Sequence, residues 1–381
     1  MKRIGLFVTL LLSLATAQAQ DQDLRLLVGT YTEGTPAEGV YLYSFDARTA
    51  EARLLSVAAS GNPSFVIPSP DGRVAWSVNE YNDGRQGVST YAISDDPSRT
   101  PAVANTLTLS ERILLPKSVI DGEDPCNLLC TGDAMVCSNY SGGTLAAYCL
   151  GAWGRIEGLS QAFAYQEAGE PAHMHCAVLS PDRKYIFATD LGRDCILRFD
   201  CSTGIFPLSD AKVAWKHKVR RFWSRLGIGR KFGPRHLTFS ADGRFAYLLC
   251  ELGDKLVTFR YSDGTLTPIQ TLTAYKGKGH GSADIHLSPD GRFLYTSHRL
   301  RKDGIAIFAV NPETGKVKRA GFQPTGTHPR NFAISPDGRF LLCACRDDNR
   351  IEIYSIDSDS GALTLTDQSI EVGAPVCVQF F

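Results

Sequence analysis

The chain has 381 residues, of which 40 are basic and 40 acidic, for a formal net charge of zero. No global field of either sign favours nucleic acid or an anionic membrane surface, and no nucleic-acid partner is expected. Beyond the N-terminal leader no apolar run reaches the ~18 residues that would read as a membrane helix, so no membrane span is expected.

Residues 1–19 begin with Lys2 and Arg3, run largely apolar from Ile4 to Leu14, and end in Ala17-Gln18-Ala19. That is the pattern of a secretory signal peptide with an A-x-A cleavage site. No cysteine follows it to carry a lipid anchor. The mature chain, 20–381, is therefore expected to be periplasmic or secreted, and a monomer. Leu26 to Tyr31 and Val40 to Asp46 then read as two strands joined by a turn.

From there a skeleton recurs. Ser69-Pro70-Asp71-Gly72, Thr131-Gly132-Asp133, Ser180-Pro181-Asp182, Ser240-Ala241-Asp242-Gly243, Ser288-Pro289-Asp290-Gly291 and Ser335-Pro336-Asp337-Gly338 start 47 to 62 residues apart. That period is the length of a propeller blade rather than of a helical repeat. Each turn is flanked by apolar strands, and a third strand follows, such as Ile305 to Phe308. The segment from Gly373 to Phe380 reads as the opening strand of a further repeat that stops before its turn. The two N-terminal strands lack an opening strand, so the termini share one blade. The expected fold is all-β: a seven-bladed propeller, whose closure protects the sheet edges that an open array would expose.

Two insertions lengthen the period. Residues 82–122 are polar and turn-rich and are expected as long connections. Residues 212–231 carry eight lysines and arginines with Trp215 and Trp223 interleaved. They read either as a solvated amphipathic helix or as a positive lid that draws anions. The 11 cysteines are an odd number, and most sit in apolar strands, as Cys137, Cys250 and Cys343 do. They are expected as small buried hydrophobes rather than as a disulfide framework. Cys343-Ala344-Cys345 lacks zinc-knuckle spacing, and no metal or cofactor is expected.

Because first strands line the channel of a propeller, one repeat position viewed across blades becomes a ring. Five residues before the anchors stand Ser64, Cys126, His175, Arg235, Ala283 and Arg330, with Val376 from the closing blade. Eleven after them stand Glu80, Leu191, Glu251, Arg299 and Arg346, with Tyr140 and Tyr31 as approximate equivalents. Both registers fall at strand ends on one face of the disc. The arginines either serve a site or pair with Glu80, Glu251 and Asp190 to neutralise a polar channel. His173 and His175, two apart on a strand, share a face but lack a third metal ligand at a recognisable spacing.

These residues resemble the lactonase family of seven-bladed propellers, which includes bacterial 6-phosphogluconolactonases and the fungal carboxymuconate lactonizing enzyme. The resemblance spans the mature chain. It rests on Val28-Gly29-Thr30-Tyr31, Asn62-Pro63-Ser64-Phe65, Val78-Asn79-Glu80, Asn139 to Gly143, His173-Met174-His175, Gly233-Pro234-Arg235-His236, Glu251-Leu252 and Pro329-Arg330-Asn331-Phe332. It implies His175, Arg235, Glu251 and Arg299 as the catalytic set, with His173, His236, Arg330 and Glu80 as substrate-binding residues. His298 and Cys250 stand where the family usually has Asn, and Asn127 falls where Pro-Cys-His is common.

The implied activity is hydrolysis of a sugar-acid lactone, as in a 6-phosphogluconolactonase, with a small anionic lactone or carboxylate as substrate. Lactone opening needs an activated water and a stabilised oxyanion, which a His or Glu with arginines supplies. Muconate cycloisomerisation would use the same groups, and a binding module without turnover would keep the same fold.

Overall fold

The computed structural model describes residues 24–95, 105–165, 170–204, 208–218, 231–275 and 280–381. The expected signal peptide and the centre of the basic segment, 219–230, lie outside the described residues. The strands form seven antiparallel sheets of four. In chain order their innermost strands are Val66–Pro68, Pro125–Cys130, Met174–Leu179, Pro234–Phe239, Ser282–Leu287, Pro329–Ile334 and Pro375–Phe380, and we number blades one to seven on them. The last strand pairs with Leu24–Thr30, so the seventh blade is built from both termini, as the repeat requires.

The repeat is legible in hydrogen bonds. In blade one Ser69 Oγ donates to Asp71 Oδ1 at 2.6 Å and accepts from Val74 N at 3.0 Å, while Gly72 closes the turn at φ +68°. Ser180, Ser240, Ser288 and Ser335 repeat the serine–aspartate bond. The turn thus satisfies its own polar groups and fixes the register of the first two strands.

Seven separate apolar clusters hold the disc, one between each pair of neighbouring blades. The one joining blades six and seven includes Leu342, Ile353 and Val378, each wholly buried. All 11 cysteines are free thiols, most of them buried in strands, as their apolar settings suggest.

Two expectations are corrected. Residues 82–122 are not merely connections: Gly87–Asp95 and Asn105–Leu114 are the third and fourth strands of blade one. The outermost strand meets water along one edge, so polar residues suffice and the segment reads as loop. Likewise Lys212–Lys216 is not helical but the outer strand of blade three, paired to Cys195–Asp200. Among the described residues no helix is long and apolar enough to cross a membrane.

Candidate active site

Bulges place the inner-strand channel residues of six blades. The antiparallel register between first and second strands skips one residue at His175, Arg235 and Arg330, and likewise at Cys126 and Val376. In blade five the shift spans Ala283 and Asp284. A bulged residue leaves the pleat, so its side chain is re-aimed without disturbing the residues that pack the sheet. Those positions are the register five residues before the anchors. Gly233 feeds the blade-four bulge at φ +68°, where a Cβ would come within 2.7 Å of Leu252. Asp194 Oδ1 accepts from the Gly233 N–H at 2.9 Å and anchors that approach to blade three.

Glu251 lies at the centre. Its Oε1 accepts from Arg299 Nη2 at 2.9 Å, and its Oε2 lies 2.9 Å from Arg235 Nε, an ionic contact off the N–H direction. Arg235 also donates from Nη1 to Ala283 O at 2.5 Å and to His236 Nε2 at 3.2 Å. His236 accepts at Nε2 because its Nδ1–H donates to Asp284 Oδ1 at 2.6 Å, which leaves the ring neutral. Arg299 Nη1 meets His328 Nε2 at 3.3 Å, and His328 Nδ1 lies 3.5 Å from Asp347. Each arginine is therefore backed by a histidine and each histidine by an aspartate.

A second group sits beside the first. Glu80 Oε1 accepts from the Tyr31 hydroxyl at 2.8 Å, and Oε2 accepts from Ser64 and, at 3.3 Å, from Arg330 Nη2. The Arg330 guanidinium also lies over the Tyr31 ring, 5.3 Å from its centre. His175 packs edge-on against both Tyr140 and His236. It is 5% exposed, and its buried Nδ1 has no hydrogen-bond partner among the described residues.

The electrostatics follow from crowding. Burial, then Arg235 and His236, hold the His175 imidazole well below its ordinary value, so it is neutral. Burial, then Arg235, push the Arg299 guanidinium down to about 9, with Glu251 opposing. Burial and Arg235 take His236 down to about 4. Burial works against the Arg330 charge, but Tyr31 and Glu80 outweigh it and raise the group. Three guanidiniums thus share two carboxylates, an arrangement whose mutual repulsion an incoming anion relieves.

The structure brings together all four residues of the expected catalytic set, and Arg330 and Glu80 with them. His236 joins them from below, turned towards Asp284 and Arg235. His173 stands at the edge, stacked on Tyr140 at 4.5 Å with its Nδ1 3.0 Å from the Tyr140 carbonyl. Other members of the two registers stay out: Leu191 is buried, and Arg346 turns to Asp347. Asp190 is not a partner of the ring arginines; its Oδ1 accepts the backbone N–H groups of His173 and Arg193.

Sequence reasoning missed Asp284 and His328. Asp284 accepts from His236, from His286 at 2.8 Å and from Asn331 at 2.5 Å. Burial alone would raise its carboxyl, but His286 and His236 outweigh that and hold it well below the usual carboxylate range. The register one residue nearer the anchor, reading Asn127, His236, Asp284 and Asn331, was the signal.

Fold, bulges and channel define a class: the chain belongs to the lactonase family of seven-bladed β-propellers, whose profile matches residues 25–380. Among its relatives is a 6-phosphogluconolactonase of Formosa agariphila, 31% identical over 93% of this chain and 99% of the relative. Among solved structures, a candidate 6-phosphogluconolactonase from Bacteroides uniformis is 42% identical over 95% of this chain and all of its own, with a TM-score of 0.84. The periplasmic gluconolactonase of Pseudomonas aeruginosa is 30% identical over 94% of this chain and 99% of its own, with a TM-score of 0.81.

Proposed function

We propose that this protein hydrolyses the lactone of a sugar acid in the channel mouth, as a 6-phosphogluconolactonase-like enzyme. The observation that carries this reading is a neutral, buried His175, its Nδ1 without a hydrogen-bond partner among the described residues, beside three guanidiniums. Its imidazole takes a proton from water as the water oxygen bonds to the lactone carbonyl carbon. Arg235 and Arg299, already fixed by Glu251 and their histidines, stabilise the oxyanion without reorganising. Collapse of that oxyanion breaks the ring C–O bond, and protonated His175 returns the proton to the departing alkoxide. Both oxygens of Glu251 are engaged by arginines, so its part in moving the proton runs through the orientation of Arg235 and Arg299. Arg330, with one ion pair and 17% of its side chain open, grips the substrate's acid or hydroxyl groups, with Glu80, His173 and His236 completing the wall.

The N-terminal pattern and the periplasmic gluconolactonase relative support an exported enzyme. An exported enzyme meets unphosphorylated lactones, so gluconolactone is favoured over its 6-phosphate. The test is hydrolysis of both by purified mature protein, with carboxymuconate alongside. Lactone turnover lost in His175→Gln supports the reading; turnover of muconate alone, or ligand-induced thermal stabilisation without turnover, overturns it.

A further inference from the structure

Outside the channel, one cavity of about 450 Å³ lies on the flank of the disc, between blade one and the hairpin of blade two. Its lining includes Arg73, Thr90, Glu111, Trp153 and Arg155. Arg73 precedes the strand Val74–Asn79 and Glu80 follows it, so the cavity and the channel residue Glu80 sit at opposite ends of that strand, about 20 Å apart.

Trp153 is 79% exposed, on the short turn that joins the outer strands of blade two. The turn is clamped to blade one: Trp76, almost wholly buried, donates its indole N–H to Gly154 O at 2.8 Å. The contact needs a glycine, since a Cβ at Gly154 would lie 2.6 Å from the Trp76 ring. Trp76 thus serves the fold, whereas Trp153 holds φ +61°, a left-handed conformation that bulky residues rarely adopt, and packs into no core. Behind it, Thr90 is 5% exposed and its Oγ1 has no hydrogen-bond partner among the described residues, while Glu111 Oε2 makes an ion pair with Arg155 Nε at 3.8 Å but no hydrogen bond.

We propose that this cavity is a carbohydrate-binding site, separate from the channel, that takes a neutral hexose unit. The Trp153 indole offers a flat apolar face to the C–H face of a pyranose. The Thr90 hydroxyl and the Glu111 carboxylate bind sugar hydroxyls, and Arg73 and Arg155 supply donors at the rim. An apolar ligand would leave the buried Thr90 hydroxyl unpaired, and an anion would meet the Glu111 carboxylate. The inference stands apart from the lactonase reading, since no channel residue enters it.

The test is calorimetric titration of the mature protein with methyl glucoside, methyl galactoside, methyl mannoside, maltotriose and cellotriose. We expect saturable binding of at least one sugar with Kd of about 1 mM, the scale for a dozen heavy atoms at ordinary ligand efficiency. Trp153→Ala weakens it tenfold or more, and Thr90→Val weakens it several-fold. Binding persists in Arg299→Ala, and lactone turnover is unchanged in Trp153→Ala. Absence of binding across the panel, binding indifferent to Trp153→Ala, or binding lost in Arg299→Ala overturns the proposal.

Discussion

Glu251 Oε1 accepts a 2.9 Å hydrogen bond from Arg299 Nη2, joining two residues 48 positions apart in sequence and on adjacent blades. The carboxylate that follows one blade's second strand holds the guanidinium that follows the next blade's second strand. The site is therefore assembled by the blade interface and not by any single blade.

Replacing Glu251 with Gln removes the carboxylate charge that contacts both Arg235 and Arg299. Turnover of the lactone falls by on the order of 10²-fold, because the oxyanion donors lose their orientation. Stability falls too, by up to ~3 kcal/mol, since Arg235, 2% exposed, keeps a buried charge without its partner. Steady-state kinetics and thermal melts on one preparation check both; undiminished kcat refutes the role.

For His175 the expected signature is in the acid limb. Its folded value lies well below 6.5, so it stays deprotonated as pH drops through the range where an exposed histidine charges. We expect kcat/KM to hold level from pH 7 to below 6 and to decline only further down. A pH–rate profile with its midpoint near 6.5 would show that another histidine limits the rate. His175→Gln abolishes most turnover at every pH.

Stability has its own acid dependence, through different histidines. His236 is lowered to about 4, by burial and Arg235; His298 is lowered to about 3, by burial and Arg319. Such groups are neutral in the folded protein, while the unfolded chain binds protons below about 6.5. Stability is therefore full above that pH and falls as pH drops from 6.5 towards 4, by roughly 3 kcal/mol for His236 alone. His298→Asn, with the residue the family usually carries, removes one such group. Melts between pH 7 and 4 should then show a shallower decline than wild type.

Closure is tested by removing residues 374–381. The deletion strips the inner strand from blade seven and exposes Leu26, Val28 and Leu342, which pack with Val378. The truncated protein should melt well below wild type or fail to fold cooperatively. Retention of the full melting temperature would show that the ring does not depend on the shared blade.

How far these features were legible in sequence follows from what repeats. The serine–aspartate turn recurs, so blade number, closure and both channel registers could be read before any coordinates. His175, Arg235, Glu251 and Arg299 stand out because they put charged or proton-moving groups at aligned strand ends where Cys126, Ala283, Val376 and Leu191 are inert. Asp284 was hidden because it falls one residue nearer the anchor than the register five residues before the anchors, where blade five carries Ala283. His328 falls in neither register, being two residues before Arg330. The outer strands of blades one and three escaped for another reason: Asn105–Leu114 and Lys212–Lys216 meet water along one edge, so hydrophobic alternation, the usual mark of a strand, is weak there.

The ring of bulges separates two kinds of heritable information. The turn and its flanking apolar residues specify the sheet, while an irregularity at the other end of six inner strands helps specify what the channel presents. A substitution at such a socket alters what the channel presents while leaving the residues that pack its own sheet in place. Cys126, Ala283 and Val376 occupy three sockets with side chains that neither carry charge nor transfer protons at neutral pH. The disc thus holds positions in reserve, and a change of substrate can be written into it one blade at a time.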